Sequence, residues 1–224
     1  IVIETPSRTK RIANLTVDGL TELLDVYARR TSVLSSDPKV AYIMVFKNDG
    51  DIAGASLPHA HSQIFAVTFE PPHLQEKARK VAEYKKAHNV CAYCDVIARE
   101  RAGERAVFDD GSVIAFTPYA SMHNYELWVL PYAHKDNITE LDATERRSVA
   151  KVLKGAFAVL KRLNLPFNFY FHQVIADSEQ HFYLKIAPRG SVWAGVELGS
   201  GIIINAVPPE EAAKEYKKVF RAIK

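Results

Sequence analysis

Gly54-Ala55-Ser56-Leu57-Pro58-His59-Ala60-His61-Ser62-Gln63 places two histidines two residues apart and a glutamine two further on. Alternate side chains of an extended segment point to one side, so His59, His61 and Gln63 are expected to line one face of a strand. The following Ile64-Phe65-Ala66-Val67 has the composition of a buried strand, which would put the three polar groups at its start rather than in a loop. A neutral imidazole so placed can attack phosphorus and a neighbouring amide can donate to a phosphoryl oxygen, while Gly54 with Ser56 lets backbone and hydroxyl approach phosphates. A bare His-x-His also fits two solvated or core-satisfied histidines. The Gly-x-Ser before it and the Gln after it favour a site.

Around this segment the composition is that of a globular chain with a sizeable core: 224 residues, 48% hydrophobic and 25% charged. A net charge of +3 is too mild to argue for a nucleic-acid partner, yet it does not oppose phosphorylated substrates. No apolar run approaches the roughly 20 residues that span a bilayer and no signal peptide is visible, so the expectation is a cytoplasmic protein with no membrane partner.

The chain reads twice. Val2-Ile3-Glu4-Thr5-Pro6 leads into Leu15 and an amphipathic helix carrying Leu20, Leu23, Leu24, Tyr27 and Val33; 126 residues later Val129-Leu130-Pro131 leads into Leu141 and a helix carrying Val149, Val152, Leu153, Phe157 and Leu160. Each helix precedes a β-prone segment, Val40 to Phe46 and Phe167 to Phe171, and then a histidine-bearing strand, His59 to Val67 and His181 to Ile186. A duplicated strand-helix-strand-strand unit is the simplest account, and the fold class expected is α+β, each unit an antiparallel sheet packed with helices. Between the units, Pro71-Pro72 opens a charged helix, roughly Leu74 to His88, that bridges them. A last helix is expected over Pro209 to Lys224, with Ala212, Ala213, Tyr216, Val219 and Phe220 on one stripe.

Cys91 and Cys94 form a Cys-x-x-Cys pair that fits a metal site, a redox pair or two small buried residues. The redox reading is the weaker one, because such a pair would open a helix after a strand, whereas this one follows a charged helix. Overlaying the two halves supplies further metal ligands: His134 falls where the first half has Arg8, and His181 falls where it has His59. Cys91, Cys94, His134 and His181 then make a zinc set in the second half. The same overlay puts Tyr183 at the place of His61 and Lys185 at that of Gln63, so the first half alone keeps the nucleophile.

The ordered motifs resemble the galactose-1-phosphate uridylyltransferase branch of the histidine-triad superfamily, whose signature reads close to Gly-x-Ser-x-Pro-His-x-His-x-Gln. Phe46-Lys47-Asn48-Asp49-Gly50 looks like that family's Phe-x-Asn-x-Gly segment, and the likeness continues through Glu4-Thr5-Pro6, Val129 to His134, Gly195-Val196-Glu197-Leu198-Gly199-Ser200-Gly201 and Pro208-Pro209-Glu210. The resemblance implies that His61 is the nucleophile and Gln63 its partner on the phosphate. It also implies that Asn48, Gly54, Ser56 and His59 hold the substrate phosphates and that Glu197 accepts sugar hydroxyls, with a structural zinc and a homodimer.

By the same resemblance, residues 1–70 are the C-terminal part of a first, catalytic histidine-triad-like unit, 71–90 a connecting helix, and 91–224 a second unit for zinc and sugar binding. The chain is expected to begin inside its first unit, with on the order of 80 to 100 residues before it. Arg8, where the family often has a zinc-binding histidine, argues against zinc in the first half.

The reaction implied is ping-pong transfer of UMP between UDP-glucose and galactose 1-phosphate through a histidine-nucleotide intermediate. Gln63 suits a phosphate acceptor, which needs no deprotonation, where hydrolytic relatives carry a third histidine. Two other readings stay open: a phosphorylase that passes an adenylyl group from ADP-glucose to phosphate, and a non-catalytic zinc-stabilised nucleotide-binding module. The resemblance implies that His172, beside Gln173, lies close to a second metal or the active-site wall, and otherwise it is structural; His73, His88 and His123, with no motif around them, are expected to be solvated.

Overall fold

A computed structural model describes residues 1–175 and 180–221. The elements run β1 (Val2–Ile3), α1 (Val17–Ser35), β2 (Tyr42–Asp49), β3 (His61–Val67), α2 (Pro72–His88), α3 (Ala92–Glu100) and β4 (Ala106–Asp109). They continue with β5 (Val113–Phe116), β6 (Leu127–Pro131), α4 (Ala143–Arg162), β7 (Phe167–His172), β8 (Tyr183–Pro188), α5 (Gly195–Ser200) and α6 (Pro209–Phe220).

The two long helices start where capping chemistry says they should. Thr16 Oγ1 accepts the Gly19 amide at 3.1 Å. Asp142 and Glu145 each accept the other's backbone N–H at 2.8 Å, a reciprocal cap. Leu20, Leu23, Leu24 and Tyr27 of α1 are buried, as are Val149, Val152, Leu153, Phe157 and Leu160 of α4. Burial of each such side chain is worth about 2 kcal/mol, which holds these otherwise polar helices on the sheet. Val33, expected on the α1 stripe, is exposed in the helix's last turn. The final helix ends at Phe220, and residues 222–224 of its expected span lie outside the described residues.

All strands join one antiparallel sheet in the order β1-β3-β2-β7-β8-β6-β5-β4. Outward from the β2·β7 pair the sheet reads β3, β1 on one side and β8, β6 on the other. The units β1-α1-β2-β3 and β6-α4-β7-β8 therefore meet back to back, which is the duplication read from the sequence. The seam is registered by Asn48 opposite Asn168 and Phe46 opposite Tyr170.

One face of the sheet packs on α1, α4 and α6, where Val45, Phe169, Phe171, Leu184, Ile186 and Val129 form the main core with the helices. On the other face Val81 of α2, with Tyr93 and Ile97 of α3, packs on Ile114, Phe116, Leu130 and Tyr183. Further along that second face Phe46, Asn48 and Tyr170 are half-buried, and this open part carries the candidate site.

Two strand expectations change. β3 and β8 each begin two residues later than the histidine expected to open them, at His61 and Tyr183. Pro58 has no N–H to donate and the β1 ladder reaches only Ile3↔His61, so His59 precedes the strand and does not share a strand face with His61 and Gln63. The second change is burial: Phe65 is 54% exposed and Ala66 is exposed as well. β1 covers β3 only at His61 and Ser62, which leaves the rest of β3 along a sheet edge.

Candidate functional site

His61 opens β3 and is buried, with 7% of its surface accessible. Its Nδ1 lies 2.9 Å from the His59 carbonyl oxygen. A carbonyl can only accept, so Nδ1 carries the hydrogen and the neutral ring keeps its lone pair on Nε2. That nitrogen has no bonded partner among the described residues and is the one available to attack. Gln63, two residues along the same strand and paired with Phe46, is half-buried. Its amide likewise has no hydrogen-bond partner among the described residues.

The segment before the strand is tethered at several points. His59 Nε2 donates to the Thr5 carbonyl at 2.6 Å, and the Glu4 amide donates to the Ala60 carbonyl at 3.1 Å. His181 makes the matching bond in the second half, its Nε2 lying 3.0 Å from the Pro131 carbonyl. Beneath His61, on the helix-covered face, Lys47 Nζ donates to the His61 carbonyl at 3.1 Å and pairs with Glu4 at 2.9 Å. Glu4 also accepts the Ser62 hydroxyl, which in turn bonds Tyr27. Lys47 was visible in the sequence merely as the variable position of Phe46-Lys47-Asn48.

Asn48 is held by a residue that the motifs did not single out. Asn168 Nδ2 donates to Asn48 Oδ1 at 2.7 Å and to the Ala53 carbonyl at 2.8 Å, while Asn48 Nδ2 reaches the Gly54 carbonyl at 3.4 Å. The loop that brings Gly54 back to Asn48 needs left-handed backbone at Gly50 (φ +92°) and Gly54 (φ +84°), and a Cβ at Gly50 would lie 2.8 Å from Pro166. Ser56 sits exposed further along the same loop. The seam between the two units therefore sets the geometry of the loop that carries Asn48, Gly54 and Ser56.

Next to Asn48 the open face forms a cavity of about 310 Å³ lined by Met44, Phe46, Tyr170, His123 and Arg189, among others. His123 is not solvated as the sequence suggested. It is half-buried, burial holds its pKa below the usual histidine value, and its ring stacks on Trp193 with centroids 6.4 Å apart. The Glu126 carboxylate fixes the preceding turn by accepting the Met122 and His123 amides at 3.0 and 3.2 Å, and it is itself paired with buried Lys185 at 2.8 Å.

Cys91, Cys94, His134 and His181 converge, with one ligand atom from each lying within 4.8 Å of all the others. Nδ1 of His134 and of His181 approach Cys94 Sγ at 3.4 and 3.5 Å. Because His181 donates through Nε2 to Pro131, its Nδ1 lone pair faces the sulfur, as a metal-ligating imidazole with its other nitrogen satisfied would. Two thiols and two imidazoles at this spacing fit zinc. Burial pushes the Cys94 thiol up to about 11 and the His181 imidazole down to about 4, and a divalent cation would reverse the thiol's preference.

His172 is buried beside this cluster, stacked on Tyr183 at 4.7 Å, with its pKa lowered to about 3 chiefly by desolvation. Glu197 lies on α5, a helix with no buried residue, and its carboxylate accepts the Ala194 amide at 2.9 Å. Among the described residues no contact joins Glu197 to His61, Gln63 or Asn48. His61 is thus joined to His59 and Asn48 to Gly54, the four metal candidates form a separate cluster, and Glu197 stands apart on an exposed helix.

Comparison with known proteins adds a family and relatives. A family model described as "Domain of unknown function (DUF4921)" matches residues 5–224. An ADP-glucose phosphorylase of Arabidopsis thaliana is 29% identical over 98% of this chain and 64% of its own length. A galactose-1-phosphate uridylyltransferase of Thermotoga maritima is 30% identical over 97% of this chain and 73% of its own. The crystal structure of an Arabidopsis thaliana ADP-glucose phosphorylase with bound ADP-glucose superposes with a TM-score of 0.88 at 27% identity, covering 97% of this chain and 72% of that one. The chain thus spans 64% to 73% of the length of these proteins.

Proposed function

Because the chain belongs to the galactose-1-phosphate uridylyltransferase family, we propose that it is a nucleotidyltransferase that moves UMP between UDP-glucose and galactose 1-phosphate through His61. The observation that carries this reading is the bond from His61 Nδ1 to the His59 carbonyl, which leaves the Nε2 lone pair of this buried ring free to attack.

In the first step the Nε2 lone pair forms a bond to the α-phosphorus of UDP-glucose. The bond from that phosphorus to the bridging oxygen breaks, and glucose 1-phosphate leaves with the oxygen and its electrons. The positive charge that develops on the ring is shared with Nδ1–H, whose bond to the His59 carbonyl strengthens as it forms. In the second step a phosphate oxygen of galactose 1-phosphate attacks the same phosphorus and the P–N bond breaks, returning a neutral imidazole. No proton is gained or lost over the cycle, so an amide at Gln63 suffices to donate to a non-bridging oxygen. Asn48 and Ser56 are left to donate to the phosphates, because the Gly54 amide donates to the Asp51 carbonyl and His59, bonded through Nε2 to Thr5, serves instead by its carbonyl on His61.

Zinc fits the Cys91, Cys94, His134 and His181 set; these residues would hold it between the start of α3, the segment after β6 and the segment before β8, where its contribution would be structural. A homodimer goes with this reading. Glu197 stands on an exposed helix flanked by exposed Val192, Val196, Leu198, Ile202 and Ile204, a surface suited to a second copy whose sugar site Glu197 would complete.

A second reading is favoured by the plant relative: an ADP-glucose phosphorylase in which the same His61 passes an adenylyl group to inorganic phosphate. Incubating the intact protein with UDP-glucose labelled at the α-phosphate tests both. Acid-labile label on His61, discharged by galactose 1-phosphate as UDP-galactose, supports the first. Label from ADP-glucose alone, discharged by phosphate, moves the assignment to the second. No label from either overturns both in favour of a zinc-stabilised nucleotide-binding module.

A further inference from the structure

We propose that Lys47, locked against Glu4, is a positioning residue for the nucleophile: it holds the His61 peptide from the covered side of the sheet so that the imidazole keeps its attacking tautomer and direction. The proposal rests on the nucleotidyl-transfer reading of His61.

Lys47 alternates with Phe46 and Asn48, so it points away from the open face and into the core beside Val45 and Phe169. Its side chain is 2% exposed and that of Glu4 is fully buried. Burying both charges carries a desolvation penalty that an apolar pair of similar volume would avoid, so the pair is a poor way to gain stability alone. What it does geometrically is join three strands at one point. Glu4 follows β1, Lys47 belongs to β2, and the Lys47 ammonium bonds the carbonyl of the first residue of β3.

β1 is two residues long and its own ladder with β3 is brief. The ion pair therefore secures Glu4, whose amide holds the Ala60 carbonyl, and the adjacent Thr5, whose carbonyl holds His59. The His59 carbonyl in turn fixes the His61 ring. Lys47 thus anchors both ends of the turn that orients His61, by its own bond to the His61 carbonyl and, through Glu4, at the His59 end. Asp49, 3.6 Å from the ammonium, is the other acidic group facing it.

The test uses the intact protein and three variants: Lys47→Met, Glu4→Gln and the double variant. Each is followed by the single-turnover rate of His61 labelling from UDP-glucose and from ADP-glucose, by nucleotide-sugar affinity, by melting temperature and by the ¹⁵N shifts of the His61 ring. Lys47→Met is expected to slow labelling about 100-fold, the scale of a 1 Å misplacement, while affinity stays within about 3-fold. Its ¹⁵N shifts should change from one Nδ1–H tautomer to a mixture. The double variant, with no lone buried charge, should regain melting temperature but not rate.

A purely structural ion pair would instead recover both in the double variant, and that result overturns the proposal. So does a folded Lys47→Met protein that labels within about 3-fold of the parent. If Lys47→Met does not fold, Glu4→Gln decides the matter: an unchanged rate and unchanged shifts overturn the proposal. If the parent protein takes no label, the transfer reading fails separately, and the ring shifts still decide whether Lys47 sets the His61 tautomer.

Discussion

Replacing Asn168 by Asp tests whether the seam between the two units sets the substrate loop. Asn168 Nδ2 donates two hydrogen bonds, to Asn48 Oδ1 and to the Ala53 carbonyl. Asn168→Asp keeps the shape but turns a double donor into an acceptor facing two acceptors. Each lost bond is worth about 1 kcal/mol, and each acceptor left facing a carboxylate, on half-buried Asn48 and buried Ala53, adds a penalty of about the same size. The Asn48 amide can turn over and donate to the new carboxylate, which recovers one bond but sets Oδ1 against the Gly54 carbonyl that Nδ2 reaches at 3.4 Å. The net loss is then about 2 to 3 kcal/mol, or about 4 to 12 °C in melting temperature for a chain of this size.

Because Ala53 and Gly54 are the released groups, the KM for the nucleotide sugar should rise about 10-fold, equivalent to about 1.4 kcal/mol. Asn168→Ala, which deletes the bonds without adding a charge, should fall between the parent and Asn168→Asp. Thermal melts with steady-state kinetics on the three proteins are the assay. An Asn168→Asp protein that matches the parent in melting temperature and KM would refute the claim that the seam holds this loop.

Three further outcomes follow from the geometry. Cys94→Ser should lower bound zinc, measured by elemental analysis, from one per chain toward none, and lower the melting temperature by several degrees through loss of the clip between α3 and the sheet. Gly155→Ala places a methyl 2.5 Å from the Phe220 ring carbons, so α6 must shift; a loss of about 1 to 3 kcal/mol is expected in denaturant titration with nucleotide labelling unchanged. His172, held neutral by burial with a pKa of about 3 against 6.5 when exposed, binds a proton on unfolding but not in the native state. Its contribution is therefore intact above pH 6.5 and lost as pH falls toward 3. At pH 5 the loss is about 2 kcal/mol, and His172→Phe should flatten that part of the stability–pH curve.

Much of the architecture was legible in residue spacing because burial on a helix or strand is a local, periodic property. Leu20, Leu23, Leu24 and Tyr27 share a face whatever lies opposite, and so do Val149, Val152, Leu153, Phe157 and Leu160; the two helices and the doubled unit followed from that. The chemical inventory was legible too, since His61, Gln63, Cys91 and Cys94 stand in short motifs. Sheet pairing decided the rest, because it joins residues far apart in sequence. It started β3 at His61 and left His59 on the Thr5 carbonyl, 54 positions away. It set Asn168 against Asn48, 120 positions away. It also buried Lys47 on Glu4 beneath a carbonyl that no side-chain pattern encodes. The tautomer of His61 depends on that backbone oxygen, and a backbone oxygen is the same in every residue, so its role became visible once the chain was folded around it.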